Sequence, residues 1–314
     1  MRNAAKVVIV DCLGVKRGEE VLVIVDAENL LIGKKLFESA QSVGAESVLT
    51  RIREREAHGS EPPAMVAAAM KHADVVIAAT AKSLSHTKAR TEATKNGVRI
   101  ASMPMITEEI MSRTMSADYT KIAERTLKLQ EVLTKGKKAL LTTPVGTNVT
   151  FFISRTEVLA DTGSLRDKGA FGNLPAGETC MAPDEGKTNG VAFIDGSMAG
   201  IGFIKEPVKL VIKEGYVTEI IGGVEAEKLR GLVEGKGPNA MNIAELGIGT
   251  NEKANACGSP LEDEKVLGTV HIAIGDNISF GGYIEAPIHL DGIMKKPTLA
   301  VDGKIIINDG KHML

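Results

Sequence analysis

The chain has 314 residues, 43% of them hydrophobic and 25% charged, with a net charge of −2. This is ordinary globular usage at a length that suits two domains, with no field to attract nucleic acid or an anionic membrane. Aromatic residues make up only 3% and tryptophan is absent, which argues against a base-stacking surface.

The first predicted element is a helix over 3–13, ended by Gly14. Strand VLVIVD (21–26) follows, then a helix over 29–43 with Leu31, Leu36, Phe37, Ala40 and Val43 at helical spacing and Gly44 as its cap. ESVLTRI (46–52) is the next strand. A helix over 61–72, with Pro62 and Pro63 in its first turn, leads to DVVIAAT (74–80). A helix near 85–96 precedes GVRIASM (97–103). Helices near 106–114 and 117–135 precede KKALLTT (137–143). Most of these strands are apolar on both faces and alternate with helices, which predicts a parallel sheet covered on both sides. The first strand-to-helix turn, VDAENLLIG, has neither GxGxxG nor GxxxxGK[ST], so dinucleotide and P-loop functions are set aside. RIREREAHGSEPP (51–63) reads as a solvated loop around His58, with a lid or dimer contact as the sharper alternative. His72 and His86 read as solvent-facing.

After about residue 144 glycine becomes frequent and helices rare. NVTFFI (148–153), GVAFIDGS (190–197), PVKLVIKEGYVTEIIGG (207–223), GTVHIAIG (268–275), APIHLDGIM (286–294) and TLAVDGKIIINDG (298–310) read as strands and hairpins. Glu214-Gly215 and Asp302-Gly303 supply the turns. EAEKLRGLVEG (225–235) is the one clear helix. The expected fold is thus an α/β N-terminal domain with a parallel sheet (1–145) and a mixed α+β C-terminal domain (146–314).

Chemistry-bearing residues cluster in this second half. His289 and Asp291 stand two apart on a strand and share a face, which makes either a metal claw or a histidine oriented by its neighbour. His271 shares a strand face with small Ala273, opposite Val270, Ile272 and Ile274. It is either a ligand or a satisfied core histidine. Pro175 and Gly177 turn the chain into Glu178, and Glu245 interrupts an apolar run followed by Gly247 and Gly249. Glu178 in such surroundings is either a carboxylate that needs a partner or an ordinary surface glutamate at a turn. Cys12, Cys180 and Cys257 are far apart with no CxxC, which argues against a disulfide framework or a cysteine zinc site. Cys180 and Cys257 read as small buried hydrophobes. The odd cysteine count and the short apolar run Val7–Val10 lead to the expectation of a cytoplasmic protein.

Four segments in this order, NLPAGE-x3-AP (173–183), AELGIGTN (244–251), HIAIG (271–275) and HLD (289–291), resemble the aminopeptidase T/aminopeptidase S family of metallopeptidases. The resemblance implies two divalent metal ions (zinc, cobalt or manganese) held by Glu178, Glu245, His271, His289 and Asp291. It also implies a homodimer and a peptide or small amide substrate. Glu178 and Glu245 become the catalytic candidates, bridging the metals or moving the proton, and the expected activity is a metallo-aminopeptidase. The tyrosine that the family carries after its first site histidine has no counterpart here, Tyr283 being the nearest. Ring-cleaving dioxygenases that act on dihydroxypyridines look like a related branch. They hold one ferrous ion with two His and one Asp, have histidine at the Glu245 position and are apolar at the Glu178 position. The two glutamates place this chain with the peptidases, and the dioxygenase remains the alternative, beside a non-catalytic metal-binding homologue.

Overall fold

The computed structural model describes residues 1–314, the side chain of Pro260 excepted. The chain forms two compact units: Met1–Ala123 with Asp161–Ala176, and Glu124–Ala160 with Gly177–Leu314.

The first unit is built on a five-stranded parallel sheet. Its order is Glu46–Arg51, Glu20–Val25, Val75–Ala79, Arg99–Ser102, Phe171–Asn173. The central strand Val75–Ala79 is apolar on both faces and every residue of it is buried, as in a sheet covered on both sides. The edge strand Glu46–Arg51 is half-exposed instead. Helix Leu30–Ser42 packs closely on the sheet through Gly33, where a Cβ would lie 2.4 Å from Val25 Cγ1. The predicted parallel α/β sheet is present. Its fifth strand, Phe171–Asn173, comes from much later in the chain, and at three residues it carries too little pattern to be read from sequence. The predicted N-terminal helix is an α-helix over Arg2–Lys6 continued as a π-helical turn over Val7–Cys12. The 51–63 stretch is largely exposed, as are His72 and His86.

The second unit contains an eight-stranded sheet and a seven-stranded sheet, whose assigned strand pairs are antiparallel. Both predicted tight hairpins are present. Glu214 and Gly215 have φ of 47° and 78°, and Asp302 and Gly303 have 48° and 84°. Positive φ at both central residues is what a type I′ turn between twisted strands requires. One continuous core, including Leu133, Phe151, Ile194, Leu246, Ile272 and Leu299, fills this unit.

The strands that matter for chemistry are neighbours in the seven-stranded sheet. They run in the order His289–Met294, Val270–Gly275, Ile243–Gly249, Glu178–Met181. Two of them, Ile243–Gly249 and Glu178–Met181, lie where the sequence showed only a turn and an apolar stretch. Among the described residues, no helix is long and apolar enough to cross a membrane.

Candidate metal centre

Strand register alone brings the five side chains together. Asp291 pairs with Ala273, which pairs in turn with Glu245, so two carboxylates flank a residue too small to fill the space between them. One step along, His271 pairs with Gly247, and a Cβ at Gly247 would lie 1.9 Å from His271 Nε2. The imidazole therefore lies across the bare backbone of the neighbouring strand. Gly249 pairs with Glu178, and Gly275 pairs with His289. Small residues thus open the floor of the site and long polar ones wall it. A β-bulge between Ile243 and Glu245 sets the direction of Glu245. Gly177, at φ 125°, makes the turn into the strand that starts at Glu178.

The ligating atoms form two overlapping groups, Glu245–His289–Asp291 and Glu178–Glu245–His271, each within 4.8 Å. His289 Nε2 lies 3.0 Å from Glu245 Oε2 and 3.2 Å from Asp291 Oδ1. His271 Nε2 lies 3.3 Å from Glu245 Oε1 and 3.6 Å from Glu178 Oε2. Glu245 is the shared member, turning one oxygen to each histidine. Beside them, Lys265 Nζ lies 2.6 Å from Glu178 Oε1 and 3.0 Å from Glu264 Oε2.

His289 Nδ1 faces the Asp276 carbonyl at 2.8 Å. An Nδ1–H donated there leaves Nε2 as the ligating atom. Phe280 stacks on the same ring at 4.7 Å between centroids. His289 is 24% exposed while His271 is fully buried, so the centre opens on the His289 side.

The charges strain toward a cation. Burial disfavours a charged imidazole, yet Asp291 and Glu245 raise His289 well above the histidine range. Against the same burial, Glu245, Glu178 and Asp291 bring His271 up to about 9. Burial alone would lift Asp291 and Glu245, but the neighbouring histidines hold both below their ordinary values. Glu264 is pushed far up by burial, with Asp291 and Glu178 adding to it against Lys265. Asp291 Oδ1, Glu178 Oε2 and His271 Nδ1 are buried without a hydrogen-bond partner. An imidazole nitrogen carries at most one hydrogen and cannot serve both carboxylates that crowd His289. A metal ion between them can, so the donor set fits one.

All five residues singled out from the sequence meet at this centre. Two that sequence reasoning missed are Lys265 and Glu264, in a charged stretch (EDEK, 262–265) that reads as surface until the fold buries it. Cys180 is buried beside the centre, and Cys257 is half-buried.

Fold and site together define an α/β protein with a candidate carboxylate–histidine metal centre. The family model for NicX, 2,5-dihydroxypyridine 5,6-dioxygenase, matches residues 5–313, and the chain belongs to that family. A 2,5-dihydroxypyridine 5,6-dioxygenase of Pseudomonas putida KT2440 is 23% identical over 255 residues, 77% of this chain and 71% of that protein. Two solved structures share the fold. The 2,5-dihydroxypyridine dioxygenase of P. putida KT2440 has a TM-score of 0.85 at 18% identity, covering 99% of this chain and 96% of that one. AmpT of Thermus thermophilus has a TM-score of 0.71 at 17% identity, covering 100% and 98%.

These findings overturn the assignment to the aminopeptidase T/S family, and with it the metallo-aminopeptidase activity and the hydrolase class. The segments behind that assignment form strands and turns of the second unit, and both kinds of protein share the fold. Glu178, a peptidase marker under the resemblance, is ion-paired with Lys265.

Proposed function

We propose that this protein is a metal-dependent ring-cleaving dioxygenase acting on a dihydroxylated pyridine or a close relative. Membership of the family supports the reaction class. The observation that carries it at the residue level is the Glu245–His289–Asp291 group, converging on one point at the more open side of the site. These three residues would hold one divalent ion, and the oxygen-rich donor set suits ferrous iron or manganese. Bound there, the ion would bring dioxygen and a ring hydroxyl together for ring opening.

The chain's own residues set that ion's surroundings. Asp276 fixes the tautomer of His289 through its carbonyl, and Phe280 fixes the ring plane. His271 holds the far oxygen of Glu245, so the carboxylate presents the other to the ion. The partly exposed edge of His289 leaves an approach for a flat aromatic substrate. Glu245 supplies the third ligand beside His289 and Asp291. The centre therefore has one imidazole and two carboxylates, which makes it hard and anionic.

Anaerobic loading with ferrous iron, followed by oxygen and 2,5-dihydroxypyridine, tests the reading. Oxygen uptake matched by loss of the ring's ultraviolet absorbance is the expected result. No uptake with any dihydroxypyridine would reject it. We further propose a homodimer, to be checked by sedimentation.

A further inference from the structure

The Glu178–Glu245–His271 group has the residue types and spacing of a second metal site, and it shares Glu245 with the first. What distinguishes it is a lysine. Lys265 is 1% exposed, and its ammonium lies 2.6 Å from Glu178 Oε1. The backbone holds it there: a Cβ on Gly249 would meet the Val266 carbonyl at 2.1 Å, so segment 265–266 runs tightly against the strand that pairs with Glu178. Asn251 donates its backbone N–H to the Lys265 carbonyl at 2.8 Å, and the Lys265 N–H reaches the Glu262 carbonyl at 2.9 Å. Neither the lysine's backbone nor its head is placed by chance collapse of a long side chain.

We propose that Lys265 is a built-in cation that occupies the second of these two overlapping ligand groups and limits the protein to one metal ion. A metal on the free oxygen of Glu178 would sit at about 2.0–2.2 Å from it, beside an ammonium already bonded to the same carboxylate. Two like-signed charges would then share one carboxylate in a buried setting where repulsion is weakly screened. The lysine also explains why a buried Glu178 is tolerated, since a buried carboxylate persists only when it is paired. Where the resemblance implies a pair of metal ions, this proposal leaves one. The five ligand-type residues divide into three that hold the ion, one carboxylate paired with lysine, and His271 bonded to the shared Glu245.

The inference rests on the metal group of the proposed dioxygenase, not on its substrate. The test is to strip the full-length protein with chelator, titrate it with Mn(II), and read both the bound metal per chain and the electron paramagnetic resonance spectrum. The wild type is expected to bind one Mn(II) with an uncoupled spectrum. Lys265→Met keeps the packing volume but bares Glu178, and is expected to bind a second ion and show an exchange-coupled spectrum. Two ions in the wild type, or one in folded Lys265→Met, would overturn the proposal. Should Lys265→Met not fold, Glu178→Gln decides. One ion retained at saturation supports the lysine pairing, and loss of the ion makes Glu178 a ligand and rejects it. A failed oxygen-uptake assay with these counts intact would reject the dioxygenase and leave Lys265 in its role.

Discussion

The parallel sheet of the first unit and the seven-stranded sheet of the second are both threaded by strands with no exposed residue. Val75–Ala79 and Val270–Gly275 are each buried throughout. They differ in one respect. The parallel strand is apolar from end to end, whereas the other carries a histidine at its second position, beside strands that carry Glu245 and Asp291. A polar group inside a sheet needs a partner on the neighbouring strand. One such interruption is a satisfied core residue; here Glu245 and Asp291 flank Ala273 in register, His271 lies two residues from Ala273 on the same strand, and together they make a site. The first sheet is therefore expected to respond to mutation in stability, and the second in metal affinity.

The largest effect expected is at the ligands. Asp291→Ala or His289→Ala should abolish metal binding and oxygen uptake, measured by calorimetry and an oxygen electrode. Retention of tight binding would remove the chosen metal group. Gly247→Ala comes next, because its methyl would occupy the position of the His271 ring. Since His271 must move, Glu245 loses its partner, and metal affinity should fall by about 10–100-fold, the range for disturbing a group that orients a ligand.

On the other side of the comparison, Ile77 is fully buried in the parallel sheet. Ile77→Ala should lower stability by about 2–5 kcal/mol in denaturant titration. It should leave the metal affinity per folded molecule unchanged; a large affinity loss would break the division between the two sheets.

A pH titration sharpens it further. His289, the imidazole ligand, is raised well above the ordinary histidine value, so at neutral pH an incoming metal ion must displace its proton. Metal affinity should therefore climb as pH rises above neutral. In the metal-free centre His271 is raised from 6.5 to about 9. A raised folded-state value stabilises the metal-free fold fully below 6.5, and that contribution fades as pH rises to about 9. The melting temperature of the metal-free protein should thus fall across the window in which affinity rises. The smallest effect is at the hairpins. A Cβ on Gly303 has nothing within 4 Å, so Gly303→Ala should cost only backbone strain, about 1 kcal/mol, with no effect on metal.

The sequence by itself determined the parallel α/β sheet and the two tight hairpins, and it marked five candidate residues that the structure brings together. These follow from local facts: apolar runs bounded by turns, Glu-Gly and Asp-Gly pairs between strands, and acids or histidines standing alone among hydrophobes. It did not determine which chemistry those residues serve, because a local strand pattern carries no information about what packs beside it. Only the tertiary structure brought residues 161–176 back into the first unit and put Gly247 under the ring of His271. It alone buried Lys265 against Glu178 from 87 positions away. Pairing across such separations is set by strand register and packing, which no local pattern encodes.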